Sequence, residues 1–241
     1  MNQAIAILDQ DDGPWRRVRR WLVLAPHPDD FDAVAVTLRW LADWGAELFL
    51  DVLTTGASGV DDAFASTWEQ KTAAREAEQQ DACRLFGLPE DRLRFHRLAE
   101  DEDGHMHEDS ENESRVRAIL DRVTPAGVVL PHGHDSNADH QRTYRMFDRW
   151  ARGGRVGSVS ALLIRDPKTV AMRLDVVTPF HETEANWKAR ILRCHQSQQQ
   201  RNLRSRGCGF DERILRVNRE IAKEVGLATP FAEGFEVVNY S

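Results

Sequence analysis

Trp21-Leu22-Val23-Leu24-Ala25-Pro26-His27-Pro28-Asp29-Asp30-Phe31-Asp32 is the stretch that decides how this chain reads. The apolar run at 21–25 has the length of a buried strand. Two prolines then end any ladder. His27, Asp29 and Asp30 follow at once. Beyond them Val34, Leu38 and Leu41 recur at helical spacing until Gly45, a C-terminal glycine. Strand, polar turn, helix is where an open α/β sheet carries its chemistry, outside the carboxyl ends of its strands. One imidazole and two carboxylates within four residues suit a divalent ion with a spare carboxylate beside it. The plainer alternative is a βα turn in which Asp29 or Asp30 caps the helix.

Working outward, 46–54 reads as a second strand running into Thr55-Gly56-Ala57-Ser58-Gly59. After an acidic loop, a helix is expected over 66–86, closed by Gly87, with Arg75 and Glu78 sharing a face. Residues 93–98 give a third strand. The loop at 101–113 holds His105 and His107 without apolar support, so both are expected to be solvated. A helix at 114–123 and a strand at 126–130 lead into Pro131-His132-Gly133-His134-Asp135-Ser136-Asn137-Ala138-Asp139-His140, which opens a helix at 141–150. Strands are expected at 153–164 and 170–177, joined by Asp166-Pro167-Lys168. In a helix over 182–200, Lys188, Ile191, His195 and Gln198 fall on one face. A turn at 206–210 and a helix over 212–225 complete a helical C-terminal part. The pattern predicts an α/β, Rossmann-like, mostly parallel sheet with an antiparallel appendage, flanked by helices. It makes one domain over 1–241, with 1–20 a polar lead-in.

Composition bounds the function. The 241 residues are 41% hydrophobic and 29% charged, with net charge -7, as in soluble globular proteins. Nucleic-acid binding would want a basic face, and the one basic cluster, Arg16-Arg17 with Arg19-Arg20, reads as a solvated edge. Cys83, Cys194 and Cys208 show no paired spacing, which argues against a disulfide framework or a thiolate zinc site and fits a reducing cytoplasm. No apolar stretch nears the ~18 residues of a membrane span. The acidic start is unlike a signal peptide.

Pro26-His27-Pro28-Asp29-Asp30 resembles the His-Pro-Asp-Asp signature of the PIG-L/LmbE-like N-deacetylases, zinc enzymes that remove acetyl groups from N-acetylglucosamine-type amines. Asp135, Asp139 and His140 match that family's Asp-x-His-x-Asp-His pattern. Arg75-Glu76-Ala77-Glu78, Lys188 with His195-Gln196-Ser197-Gln198, and Ala232-Glu233-Gly234-Phe235 extend the resemblance over roughly 21–235. It implies His27, Asp30 and His140 as metal ligands and Asp29 as catalytic base. Asp135 and Asp139 would orient His140, and Arg75 and His195 would bind substrate. Two positions depart from the pattern. Phe31 stands where the family usually has glutamate, and Asn137 where many members have histidine. The proton donor therefore stays open among Asp29, His132, His134 and His195, with Asn137 able only to donate a hydrogen bond.

The implied function is zinc-dependent hydrolysis of a linear amide, freeing acetate from an N-acetylated amino sugar or conjugate. Iron(II) suits the same ligands. The partner is a small molecule, with no nucleic acid or membrane implied and homo-oligomer formation left open. Alternatives are a metal-dependent hydrolase of another amide or ester, and a catalytically inactive metal- or sugar-binding homologue, which Phe31 and Asn137 favour. A nucleotide-binding Rossmann protein is disfavoured, because the first βα turn lacks the glycine fingerprint.

Overall fold

The computed structural model describes residues 5–8, 14–153 and 157–241. Along the chain run β1 (Ala6–Ile7), β2 (Arg20–Ala25), α1 (Ala35–Asp43), β3 (Glu47–Val52), α2 (Trp68–Phe86), β4 (Leu93–Phe95), α3 (Ser110–Val123) and β5 (Gly127–Pro131). Then come α4 (Ala138–Arg152), β6 (Val159–Ile164), β7 (Val176–Phe180), α5 (Glu182–Leu192), α6 (Gln196–Arg206), α7 (Phe210–Glu224) and β8 (Phe231–Tyr240). The strands form one sheet in the order β1-β7-β8-β6-β5-β2-β3-β4. Every pairing is parallel except those of β8, which is antiparallel to both β6 and β7.

β2 sits at the point where the strand order reverses. It pairs with β3 on one side and β5 on the other, with Val23 opposite both Leu50 and Val129. Its side chains alternate between two cores, as the period of a strand requires. Trp21, Val23 and Ala25 pack with Val34, Leu38 and Leu41 on one face. Leu22 and Leu24 pack with Ile119, Leu120, Met146 and Phe147 on the other. With both faces covered, the strand reads as one apolar run. Gly127 of β5 is required by this packing: a Cβ there would lie 2.4 Å from the Trp21 ring.

The structure departs from the sequence expectations at identifiable places. The lead-in is not wholly polar, since β1 pairs with β7 and Leu8 and Trp15 are buried in the core. α3 begins four residues earlier than expected, because Asp109 accepts from Asn112 N and caps it. The expected 153–164 strand starts only at Val159, and residues 154–156 of that span lie outside the described residues. The expected 170–177 strand lies at Val176–Phe180 instead. The long C-terminal helix is two, α5 and α6, broken around His195. The antiparallel strand is β8, placed between β6 and β7, where only a helical C-terminal part was foreseen.

β8 also delivers a buried latch. Glu233 accepts from Val36 N (3.1 Å), Thr37 N (2.7 Å) and Thr37 Oγ1 (2.5 Å) at the N-terminus of α1, where a carboxylate is favoured by the helix dipole. Lys188 Nζ donates to Glu233 (2.7 Å), Asn218 Oδ1 (2.9 Å) and Ala33 O (2.6 Å). Burial lowers the Lys188 pKa against the pull of Glu233. The last strand thus holds the start of the helix that follows the His27–Asp32 turn.

Candidate active site

Two loops at the carboxyl ends of β2 and β5 meet at the reversal of strand order, the place where α/β sheets bind ligands. In the first, Thr54 N and Oγ1 donate to Pro26 O at 2.9 and 2.8 Å and tie the turn to β3. Asp30 folds back so that its carboxylate accepts from His27 N at 2.8 Å. Asp29 has φ 108°, a conformation costly for a residue with a Cβ. It is held there from two sides. Its N–H donates to Gln79 Oε1 at 2.7 Å, and its carboxylate accepts from Arg75 Nη2 at 2.8 Å. Arg75, 2% exposed, also donates to Pro28 O. Gly56 leaves room for this guanidinium, since a Cβ there would stand 3.2 Å from Arg75 Nε.

In the second loop Asn137 caps α4, accepting from Asp139 N at 2.8 Å. Asp135 Oδ1 accepts from Asn137 N at 2.7 Å. These bonds put Asp139 and His140 in the first turn of α4, facing the signature turn.

His27, Asp30 and His140 each offer a donor atom, all within 4.8 Å of one another. His27 Nδ1 and His140 Nε2 both stand 3.5 Å from the Asp30 carboxylate. The outer nitrogens turn to other carboxylates: His27 Nε2 to Asp139 at 3.0 Å and His140 Nδ1 to Asp135 at 3.1 Å. Carboxylates behind imidazoles fix tautomer and orientation in metal sites. Two inward nitrogens and a carboxylate are a donor set that fits a catalytic divalent metal. Asp135, His140 and Asp166 form a second such cluster among the described residues, sharing His140 with the first.

Electrostatics agree with the geometry. Burial favours neutral groups here, but Asp30 and Asp135 outweigh it and push His140 up to about 10. His27 is likewise raised by Asp139 and Asp30 against burial. Asp30 falls well below the usual carboxylate range through His140 and His27, despite burial. Asp139 is held at about 2, its burial offset by bonds from His27, His105 and Met106 N. Without a metal, these shifts favour a proton on His140, between the Asp30 and Asp135 carboxylates.

The cavity beside the cluster measures about 580 Å³, within the range of small-molecule sites. His27, Asp29, Asp30, Arg75, Asp139 and His140 all line it.

Several sequence expectations need correction. Asp139 braces His27, and of the two it is Asp135 that stands behind His140 Nδ1. His105 is not simply solvated: it lines the cavity, and its Nδ1 reaches Asp139 at 3.1 Å. His195 does not reach the cavity. It is fully buried, with Nε2 2.7 Å from Asp32. His132 and His134 do not line it either, and His132 turns to Glu236 at 3.2 Å. Phe31 packs edge-on against Phe86 in the core, which accounts for an apolar residue there. Arg75 and Glu78 are both buried; Glu78 accepts from Ser197 N and Oγ, tying α2 to α6. Gln79 and Asp166 went unforeseen. Gln79 carries a weak signal, since Thr72, Arg75, Glu78 and Gln79 form a polar stripe at helical spacing that the fold buries.

No curated protein matches the chain. Among solved structures, N,N'-diacetylchitobiose deacetylase from Pyrococcus horikoshii superposes with TM-score 0.78 at 18% identity, covering 95% of this chain and 87% of that one. The 4-carboxy-2-hydroxymuconate hydratase from Pseudomonas putida gives 0.71 at 19%, covering 91% and 96%. A triple mutant of a deacetylase of the teicoplanin biosynthetic pathway gives 0.70 at 17%, covering 92% and 99%. Deacetylases and a hydratase share this architecture, so the likeness establishes the fold and leaves the chemistry to the site. The sequence model of GlcNAc-PI de-N-acetylase matches residues 22–151, which include both loops of the site. The chain belongs to the GlcNAc-PI de-N-acetylase (PIG-L) family.

Proposed function

We propose that this protein is a metal-dependent N-deacetylase that hydrolyses the acetamide of an N-acetylated amino sugar or related conjugate, with zinc held by His27, Asp30 and His140. One observation carries the proposal. The buried contacts Asp139–His27 and Asp135–His140 turn the remaining nitrogen of each ring onto Asp30. When bound, zinc supplies a Lewis acid that polarises an acyl carbonyl and makes hydroxide available near neutral pH. Iron(II) would suit the same donors.

The chain's own residues do the rest. Asp29 lines the cavity beside the ligands and takes a proton from the attacking water. Arg75 and Gln79 hold its carboxylate and backbone in place. Asn137 also lines the cavity. Its side-chain oxygen is committed to capping α4, so its amide N–H groups serve as donors to the carbonyl oxygen as negative charge develops there. When the C–N bond breaks, Asp29 returns its proton to the departing nitrogen. Acetate and a free amine result.

The test combines metal analysis with acetate release from a panel of N-acetylglucosamine conjugates. About one metal per chain with acetate from at least one conjugate is expected. Metal binding without acetate from any conjugate would favour hydrolysis of another amide or ester, or a binding role without turnover.

A further inference from the structure

We propose that His195 and Asp32 are positioning residues for the site: through Gln79 they set the backbone of Asp29 and so aim the carboxylate that takes the proton. The proposal rests on the deacetylase reading, in which Asp29 is the base. It adds to that reading two residues outside the cavity lining.

One line of hydrogen bonds connects them. Asp29 N donates to Gln79 Oε1 at 2.7 Å. Gln79 Nε2 donates to Asp32 Oδ2 at 3.0 Å. His195 Nε2 stands 2.7 Å from that same oxygen. A side-chain amide accepts only through its oxygen and donates only through its nitrogen. Gln79 can therefore serve the Asp29 N–H and the Asp32 carboxylate in one orientation alone. What holds the Asp32 carboxylate also holds the atom on which the Asp29 backbone leans. Asp32 Oδ1 has no hydrogen-bond partner among the described residues. Gln79 and His195 thus grip this side chain through Oδ2.

The line ends on a strained peptide. Asp29 has φ 108°, which a residue with a Cβ leaves unless it is held. Pro28 O and Asp29 N belong to one rigid peptide plane. Arg75 donates to the oxygen and Gln79 accepts from the nitrogen, so side chains one turn apart on α2 fix that plane from both edges. Packing alone does not explain the residues behind Gln79. Gln79, Asp32 and His195 are wholly buried, and apolar side chains of like volume would fill the space without the desolvation cost of an amide, a carboxylate and an imidazole. His195 Nδ1 has no partner among the described residues, so the ring's polar contact is Asp32. The break between α5 and α6 brings the ring there. Ser197, just beyond it, ties α6 to Glu78, the neighbour of Gln79.

The experiment compares zinc-loaded wild type with His195→Leu, His195→Gln and Gln79→Met. Leucine removes the nitrogen that meets Asp32, glutamine keeps an N–H donor, and methionine removes the middle link at similar volume. Metal content is measured with kcat and KM for acetate release from the conjugate panel. Hydrogen exchange of the Asp29 amide is followed by NMR, with Val23 and Val129 of the central strands as the reference for global opening. His195→Leu and Gln79→Met should lower kcat about 10–100-fold at unchanged KM and metal content, the scale of a small misplacement of a reacting group. Their Asp29 amide should exchange at least about tenfold faster than in wild type, relative to the reference amides. His195→Gln should restore most of both. In the Asp29→Ala background His195→Leu should cost no further kcat, since both act through one group. A loss that multiplies with Asp29→Ala, a raised KM at unchanged kcat, or wild-type exchange at Asp29 would each overturn the proposal. If His195→Leu does not fold, Gln79→Met takes its place in every comparison. No acetate from wild type on any conjugate, with faster Asp29 exchange in the variants, would keep the positioning and sink the deacetylase reading.

Discussion

His27 and Asp139 lie 112 residues apart in the chain, yet His27 Nε2 stands 3.0 Å from the Asp139 carboxylate. That contact joins the loop after β2 to the loop after β5. Asp139 also accepts from Met106 N at 2.8 Å and meets His105 Nδ1 at 3.1 Å. Asp139→Asn should weaken metal binding about 10–100-fold, the usual cost of losing a carboxylate behind a ligating histidine. Competition with a chelator of known affinity checks this. An unchanged metal affinity would remove Asp139 from the support of the site.

Asp29→Ala should leave metal content intact and lower kcat by about 10²–10⁴-fold, the range for loss of a positioned general base. His140→Ala should lose the metal instead. Measuring both properties on both variants separates the roles. If His140→Ala holds metal at full occupancy, the third ligand is misassigned.

The metal-free protein should depend on pH through His140. Its folded pKa of about 10 lies above its ordinary 6.5. The contribution to stability is therefore fully present below about pH 6.5 and is lost as pH rises through about 10. Urea midpoints of chelated protein, measured across that window, should fall with pH. A metal must displace the same proton, so apparent metal affinity should rise over the window. Flat profiles in both measurements would contradict the protonated cluster.

Lys188 and Glu233 form a wholly buried ion pair. Glu233→Ala strips the partner from Lys188 and the acceptor from Val36, Thr37 and Thr37 Oγ1. A loss of about 3–5 kcal/mol is expected, typical of breaking a buried pair from one side. Denaturant unfolding with an unchanged m-value would read it directly. A loss under about 1 kcal/mol would mean the latch is dispensable.

The site's centre was legible because it is local. Residues 27 to 30 and 135 to 140 each form a compact polar turn after an apolar run, and such turns announce themselves in sequence. What escaped was long-range. Which carboxylate backs which histidine depends on the approach of two loops, so Asp139 was assigned to its chain neighbour. His105 looked unsupported because its support, Asp139, lies 34 residues on. α2 hides its importance, since its buried face is polar. His195 sat on the expected helix face, but the break between α5 and α6 turns it to Asp32, behind the signature turn. β8 escaped because Ala232-Glu233-Gly234 interrupts its apolar pattern, and two of those residues are explained only by neighbours. Glu233 serves Lys188 and α1, while Gly234 lies under Leu174 and Ile221.

The position of β8 divides the sheet mechanically. Strands β4, β3, β2, β5 and β6 form an unbroken parallel block that carries both loops of the site, whereas β7 and β1 join that block only through β8. The molecule therefore has two seams of different consequence. The register puts the latch on one of them: Phe231 to Phe235 of β8, Glu233 among them, pair with β7, whereas Phe235 to Tyr240 pair with β6. Opening between β8 and β7 strips Glu233 of its neighbour Thr178, whose hydroxyl also meets Thr37 of α1, and slackens the turn that holds His27, Asp29 and Asp30. The site's first turn is thus steadied from outside the parallel block that carries it, by the two strands added last to the sheet's other end.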